Sequence, residues 1–248
     1  MAKRVKGILF DLGDTLLDFG KVDISSLFEA GAKLAYGYLE QFKLPLPSFR
    51  RYHRQQLWAI RWSYLKSRFT RREFNALDIL GWLSERMGYT LTREQTVELA
   101  WLWYQPLSQC ATVEDGLREM LASLRDAGLR LGIVSNTFVP SEVLDRHLDK
   151  ERLLEYLPVR VYSCDAGIRK PDPQVFRIAL QRAGLEADET IFVGDSPQAD
   201  AAGARRAGMI SVLKDPDARC DDAGNVADHR IARITELTKI VAKYNGSA

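Results

Sequence analysis

The sequence predicts an α/β protein: a doubly wound parallel sheet, the centre of a Rossmann-like three-layer core, with an inserted all-α helical domain. Three observations predict it. Short apolar runs alternate with helical patterns, glycines close several of those helices, and one long interval holds helical patterns without evident strands. The 248 residues, 46% hydrophobic and 27% charged, suffice for a sizeable buried core in a globular chain.

The predicted strands are nearly continuous in apolar residues and are bounded by turn signals. Continuous rather than alternating hydrophobicity is typical of strands covered on both faces, as in a parallel sheet. The runs are residues 5–10, 130–134, 159–162, 190–193 and 210–213, and residues 229–234 are a candidate for a short last strand.

Helical patterns lie between these runs. They cover residues 114–127, 141–156, 173–183 and 199–207, with a last helix from residue 235. Gly128, Gly184 and Gly208 close three of them, because glycine readily adopts the left-handed conformation that ends a helix. We assign residues 1–20 and 110–248 to the core and residues 21–109 to the inserted domain.

The insert holds all five tryptophans, so it has enough large apolar surface for a core of its own. In the basic helical pattern over residues 50–74, four apolar residues share one face, which we expect to point to the core. These are Trp58, Trp62, Leu65 and Phe69. Arg54, Arg61 and Arg68 recur along the edge of that face, where we expect them to extend into solvent. Weaker alternatives are that one arginine binds an anionic part of a substrate, or that the helix binds nucleic acid.

Composition and cysteine usage indicate where in the cell the protein is found and which classes of partner it has. The formal net charge is only +2, and no stretch approaches the ~18 apolar residues of a membrane-spanning helix. The cysteines, Cys110, Cys164 and Cys220, lack the paired short spacing of a zinc site or a redox pair. We expect a soluble, cytoplasmic monomer or homodimer with reduced thiols, with no membrane and no nucleic acid as partner.

Polar residues follow four of the predicted strands, and in a doubly wound sheet ligands bind beyond the carboxyl ends of the strands. They are residues 11–15, Ser135 with Asn136, residues 169–171, and residues 194–196 with Asp200. Each alone is explained as a helix cap or a solvated turn. Together they bring Asp11, Asp195 and Asp200 into one crevice, where the carboxylates would repel one another unless a cation lay among them. Such hard oxygen ligands suit Mg²⁺.

Four motifs carry these residues: FDLGDT at residues 10–15, IVSN at residues 133–136, RKPDP at residues 169–173 and VGDSPQADAAGARRAGM at residues 193–209. Their order, spacing and strand-end placement resemble those of the haloacid dehalogenase-like hydrolase superfamily, most of whose members are phosphatases. The resemblance covers the whole chain. It implies a phosphatase that acts on a small phosphorylated metabolite, with the insert as the family's helical cap.

The resemblance also implies a nucleophile and a metal site. Asp11 would attack phosphorus and form an aspartyl-phosphate intermediate. Mg²⁺ would be held by the Asp11 carboxylate, the backbone carbonyl of Gly13, Asp195 and, directly or through water, Asp200.

Further roles carry over to residues that bind the substrate. Lys170, Ser135 and the backbone of Asn136 would bind phosphoryl oxygens and stabilise the transition state. Thr15 would orient Asp11 through a hydrogen bond.

The sequence departs from the family's pattern at one position. Family phosphatases have a second aspartate two residues after the nucleophile, which protonates the leaving oxygen and then activates water, and this chain has Gly13 there. The neighbouring Asp14 is either a displaced general acid or, as we favour, a simple loop carboxylate. We expect slow turnover of alkyl phosphates and a smaller loss with acyl or aryl phosphates, whose leaving groups are already good.

Two other functions stay open because the second aspartate is missing. Family dehalogenases also lack the second aspartate and work without a metal, but Asp195 and Asp200 would repel a carboxylate substrate in a metal-free site. The other alternative is a binding or regulatory protein that has lost efficient turnover. Retention of Asp11, Lys170 and Asp195 counts against it.

Overall fold

A parallel sheet of six strands forms the centre of the protein. The computed structural model describes residues 4–70, 72–218 and 226–246, apart from the side chain of residue 68. The strands are β1 Gly7–Phe10, β2 Arg130–Ser135, β3 Val159–Tyr162, β4 Thr190–Gly194, β5 Ile210–Lys214 and β6 His229–Ile231. Their order across the sheet is β3-β2-β1-β4-β5-β6. The direction of winding reverses beside β1, so the predicted doubly wound α/β fold is confirmed.

Four consecutive helices of the insert follow β1: α1 Ile24–Glu40, α2 Phe49–Thr70, α3 Ala76–Arg86 and α4 Arg93–Cys110. Three of them begin at side-chain caps, because Asp23, Asn75 and Thr92 accept hydrogen bonds from N–H groups of the first turn. The insert is therefore all-helical, as predicted. Its placement as a separate domain of residues 21–109 stays a prediction.

The insert shares its apolar interior with the sheet. Leu39 of α1 and Leu99 of α4 belong to the same buried cluster as Ile8 and Phe10 of β1. The insert thus packs as part of one continuous apolar cluster rather than around a core of its own. Within the described ranges, no helix combines the length and apolar character needed to cross a membrane.

The apolar stripe of α2 faces solvent, so the prediction that it points to the core is wrong. Its four side chains are between 47% exposed, for Leu65, and 82% exposed, for Phe69. The opposite side of α2 is the packed one, and it consists of Tyr52, Gln56, Ala59 and Ser67. Periodicity shows which residues share a face but not which of two faces packs, and here the packed face is the one with the fully buried Tyr52.

Most of the tryptophans of the insert, and the arginines beside the stripe, are also accessible to solvent. Only Trp101 of the five tryptophans is buried, at 6% exposure, while Trp82 is 47% exposed. Arg54 and Arg61 are exposed beside the stripe, and the side chain of Arg68 lies outside the described set. Whether an arginine here binds part of a substrate stays a prediction.

Outside the insert, the described residues form six further helices: α5 Leu117–Asp126, α6 Ser141–Lys150, α7 Ser163–Ala166, α8 Pro173–Ala183, α9 Ala202–Arg206 and α10 Leu237–Asn245. Two differ from the predicted ranges. Helix α6 stops at Lys150 because Arg152 adopts a left-handed φ of 55°, which ends the helix before residue 156. Helix α9 is preceded by a wider π-helical turn over Pro197–Ala201. Cys110 and Cys164 are free thiols, and Cys220 lies outside the described residues.

Candidate active site

Asp11 stands directly after β1, at the carboxyl end of a central strand of the sheet. Its backbone N–H donates to the Val193 carbonyl of β4 at 2.8 Å, which fixes the start of the loop against the neighbouring strand. The register pairs Phe10 with Ile133 of β2 on one side and with Val193 on the other. The Oδ1 atom of Asp11 accepts a hydrogen bond from the Leu12 N–H at 2.7 Å. The carboxylate therefore lies where three strands end together.

Lys170 is buried between two carboxylates. Its Nζ lies 2.9 Å from Oδ1 of Asp11 and 2.7 Å from Oδ1 of Asp200, and only 4% of the residue is exposed. Burial by itself would lower the pKa of Lys170, but the charges of Asp11 and Asp200 outweigh it and hold the pKa above its usual value. The lysine therefore stays a cation in the crevice.

Asp195 and Asp200 follow β4 and complete the acidic side of the crevice. One carboxylate oxygen from each of Asp11, Asp195 and Asp200 lies within 4.8 Å of the others. The second oxygen of Asp200, Oδ2, accepts a hydrogen bond from the Ser196 N–H at 2.9 Å. A Cβ atom at Gly194 would overlap the Asp200 carboxyl group, so the close approach of that carboxylate to β4 needs a glycine.

The carboxylate cluster has properties that suit a divalent metal. Burial, aided by the charges of Asp11 and Asp14, raises the pKa of Asp195 to about 6. Burial also raises the pKa of Asp200, although Lys170 opposes that rise. One lysine thus does not offset the repulsion among the carboxylates, and an oxygen-only set of ligands fits Mg²⁺.

Asn136 has a role that the sequence did not reveal. Its Oδ1 accepts the backbone N–H of Lys170 at 2.7 Å, and its Nδ2 donates to the carbonyl of the same residue at 2.9 Å. The side chain therefore clamps the lysine's peptide groups, while only its own backbone is left for a phosphoryl group. Ser135, the last residue of β2, is 6% exposed at the same end of the sheet.

Thr15 is buried, but the predicted hydrogen bond to Asp11 is not formed. In the part of the chain that the structure describes, its hydroxyl has no hydrogen-bond partner. Its backbone carbonyl instead accepts from Nζ of Lys214 at 2.9 Å, and that Nζ lies 3.8 Å from Glu114. Lys214 ends β5 and is 7% exposed, so inspection of the last residue of each strand would have found it.

Gly13 leaves open space where the family places its second aspartate. A Cβ atom there would meet only the Phe19 ring, at an ordinary 3.8 Å. Asp14 is exposed and adopts a φ of 53°, and its Oδ1 lies 3.5 Å from the Phe19 N–H. Position 13 therefore has room for a Cβ atom, and Asp14 is an exposed loop residue whose charge contributes to the raised pKa of Asp195.

The insert contacts the loop that carries Lys170. Nε of Arg169 lies 3.2 Å from Oε2 of Glu73, and its Nη1 donates to the Ser67 hydroxyl at 3.1 Å. The Glu73 side chain is 2% exposed and accepts a second hydrogen bond from Ser163 at 3.0 Å. The segment between α2 and α3 is thus tied to the residue before the buried lysine.

A sequence model of the haloacid dehalogenase-like hydrolases matches residues 5–208, a range that holds the carboxylate cluster, Lys170 and the insert. The chain belongs to this family. Membership confirms the predicted resemblance and, with it, the prediction of an enzyme of the hydrolase class. It leaves the substrate open, because one fold supports many reactions.

Relatives of this hydrolase include named phosphatases. It is 29% identical to phosphoserine phosphatase from Thermus thermophilus, over 94% of this chain and 98% of that protein. It is 26% identical to glyceraldehyde 3-phosphate phosphatase from Pyrococcus furiosus, over 99% and 96% of the two chains.

Solved structures resemble it along their full length. A HAD phosphatase from Thermococcus onnurineus is 25% identical, with a TM-score of 0.61 over 96% of this chain and 98% of that one. A 2-haloacid dehalogenase from Pseudomonas syringae is 23% identical, with a TM-score of 0.66 over 97% and 99% of the two chains. The second likeness concerns the fold alone.

Proposed function

We propose that this hydrolase is a Mg²⁺-dependent phosphatase that acts on a small phosphorylated metabolite through an aspartyl-phosphate on Asp11. One observation carries the proposal: Lys170 is buried between Asp11 and Asp200, and Asp195 completes a cluster of three carboxylates beside it. The full-length relatives named as phosphatases support the same reaction.

In the first step the Asp11 carboxylate attacks phosphorus, and the bond between phosphorus and the leaving oxygen breaks. All contacts of the carboxylate described above go to Oδ1, so Oδ2 is the oxygen we assign to the attack. Lys170 and Ser135 bind the phosphoryl oxygens on which charge develops. Water then displaces phosphate from Asp11 and restores the carboxylate.

Mg²⁺ would be held by Asp11, Asp195 and the backbone carbonyl of Gly13. Both oxygens of Asp200 already bind Lys170 and the Ser196 N–H, which favours a contribution through water. When bound, the metal offsets repulsion between the nucleophile and the anionic substrate.

The absence of an aspartate at position 13 determines which leaving groups the site can expel efficiently. A general acid is typically worth about 10²- to 10⁴-fold in rate, and none stands two residues after Asp11. Acyl and aryl oxygens leave with less need for a proton than alkyl oxygens do. We therefore place the substrate among phosphates with good leaving groups.

The helical insert serves as a cap in this proposal. The ion pair between Glu73 and Arg169 links the insert to the loop of Lys170. Closure of an insert at this edge of the sheet would exclude water during transfer.

Dehalogenation is the second reading, because the absence of an aspartate at Gly13 suits a halide that leaves without a proton. The carboxylate cluster weighs against it. Without a metal, Asp195 and Asp200 leave an excess of negative charge around Lys170, which opposes the carboxylate of a 2-haloacid.

The experiment is phosphate release from a panel of acyl, aryl and alkyl phosphates, with Mg²⁺ or with a chelator. We expect release that needs Mg²⁺, disappears in Asp11→Asn and persists in the matched loop variant Asp14→Asn. No release from any phosphate by the unaltered protein, or full activity in Asp11→Asn, would sink the proposal. Halide release from 2-haloacids in chelator would favour the dehalogenase.

Gly13→Asp separates the two roles considered for Asp14. A Cβ atom at Gly13 would meet only the Phe19 ring, at an ordinary 3.8 Å, so a side chain can start there without a backbone clash. A gain of about 10²-fold or more on alkyl phosphates, with little change on aryl phosphates, is expected if the native site lacks its acid. Equal rates with and without the new aspartate would indicate that Asp14 or the substrate already supplies the proton.

A further inference from the structure

The exposed aromatic surface of α2 continues onto α3. Trp58 and Trp62 stack with their ring centroids 6.1 Å apart, and both line a groove between the two helices together with Trp82. With Phe69, further along α2, they form what we call the α2–α3 face. The four residues are 47–82% exposed, which amounts to about 500 Å² of aromatic surface at ~200 Å² for a whole side chain. An exposed apolar patch of this size is typical of an interaction site.

Opposite charges border the α2–α3 face on its two sides. On α2, Arg54 and Arg61 are exposed, two turns apart, on the side of the aromatic row away from the groove. On α3, Asp78 and Glu85 are exposed, also two turns apart, on either side of Trp82 along the helix. Among the described residues, none of these four charged side chains has an ion-pair partner. The face therefore has a basic rim on α2 and an acidic rim on α3, both free to pair with another molecule.

These rims suit a second copy of the chain better than a surface of one charge. A two-fold axis along the aromatic row of α2 turns the basic rim of one copy towards the acidic rim of the other. Arg61 lies nine residues before the end of α2 and Glu85 nine residues after the start of α3, so the two are at similar heights. Arg86, the remaining charged residue of α3, lies over the Trp82 ring at 5.3 Å. A phosphate-rich lipid or nucleic-acid surface would attract the basic rim and repel the acidic one.

We propose that the α2–α3 face binds a second copy of the chain in a two-fold symmetric dimer, with Arg61 of each copy beside Glu85 of the other. The aromatic rings form the core of this interface and the charged rims its polar edge. An interface of this size gives a weak dimer, with a dissociation constant in the micromolar range. At much lower concentrations the chain is a monomer with the face in solvent, so unfolding measured there reports on the monomer alone.

The test is sedimentation velocity of the full chain from about 0.1 to about 100 μM, a range that brackets a micromolar dissociation constant. We expect Trp62→Ala to raise that constant about tenfold or more. Arg61→Glu and Glu85→Arg should each raise it about tenfold, because each places like charges opposite one another at two symmetric positions. The variant that combines both changes should return it to within about threefold of the original value. Arg177→Glu, the matched charge reversal at an exposed position of α8, should leave it unchanged.

Three outcomes would overturn the proposal. The first is a monomer throughout the concentration range, and co-sedimentation of that monomer with phosphatidylserine vesicles would assign the face to a lipid surface instead. The second is a dimer that Trp62→Ala does not weaken, since it would form through another face. The third is failure of the combined Arg61→Glu and Glu85→Arg changes to restore the dimer. Circular dichroism checks that each variant is folded, and Trp58→Ala, on the same face, repeats the test should Trp62→Ala not fold.

Discussion

The carboxylate crevice and the helical insert place their side chains in opposite ways. The crevice buries charge: Lys170 is 4% exposed and Asp200 is fully buried. The insert exposes apolar surface: Trp58 is 62% exposed and Phe69 is 82% exposed. The buried charges of the crevice are tolerated because each group has a partner at ion-pair distance. The aromatic face of α2 stays in solvent because the opposite face of the helix packs against the protein. Partners and packing, rather than polarity alone, decide what is inside.

The largest effect should come from removing the buried cation. In Lys170→Ala, Asp11 and Asp200 lose their partner, and we expect the free energy of unfolding to fall by about 3 kcal/mol and turnover to be lost. Urea unfolding without metal measures the first, and phosphate release the second.

The control is Lys33→Ala, which breaks an exposed pair with Glu29 on α1. It should cost no more than about 0.5 kcal/mol. Equal losses in the two variants would show that Lys170 is not held between charges in solution.

A smaller effect is expected from removing the side chain of Asn136, which positions Lys170 through its backbone. Asn136→Ala removes two hydrogen bonds to the lysine's backbone, which should cost about 1–3 kcal/mol of stability and about 10²-fold in kcat. Asn245 provides a matched control, because it holds Val5 by the same pair of backbone bonds far from the crevice. Asn245→Ala should cost similar stability and leave kcat unchanged. A similar kcat loss in both would remove the positioning role.

Acid should weaken the contact between insert and core. Burial, with a contribution from Lys150, lowers the pKa of His147 to about 4, although Glu151 lies 4.0 Å away. The unfolded histidine, with a pKa near 6.5, binds more protons, so stability is lost as the pH falls from about 6.5 to about 4. The loss should reach at most about 3 kcal/mol.

Unfolding in urea across this pH range measures the effect. His147→Leu should remove this part of the pH dependence, even though Tyr104 loses a hydrogen-bond partner at every pH. An unchanged slope in the variant would count against a buried, neutral histidine.

The smallest effect is expected on the outer face of α2. Trp58→Ala should change the free energy of unfolding by no more than about 0.5 kcal/mol. Trp101→Ala, at a buried position where Arg146 covers the ring at 4.2 Å, should cost about 3–5 kcal/mol. Similar costs for both, measured by thermal and urea unfolding, would mean that the stripe is buried in solution.

Much of the fold could be predicted because strands and helix ends are local features. The first strand begins at Gly7 rather than residue 5, and helix α8 has the predicted bounds of Pro173–Ala183. Helix α5 begins only at Leu117, because Gly116 has a φ of 84° just before it. The orientation of α2 could not be predicted, since hydrophobic periodicity does not say which of two faces will pack.

The site could be predicted as far as strand ends determine it. Asp11, Lys170, Asp195 and Asp200 meet because their loops leave the same edge of the sheet. The contacts that fix them were not predictable, because they join distant positions. Asn136 and Lys170, which its side chain binds, are 34 positions apart in the sequence. The hydrogen bond from Lys214 to Thr15 joins residues 199 positions apart.

Asp11 as the nucleophile is the central element of the proposed mechanism. The direct measurement is rapid acid quenching during turnover of a phosphate ester with Mg²⁺, followed by peptide mass spectrometry. We predict a phosphoryl group on the peptide that contains Asp11, and its absence in Asp11→Asn and when Mg²⁺ is chelated. Phosphate release with no phosphoryl group on that peptide at any quench time, or one attached to another residue, would contradict the account.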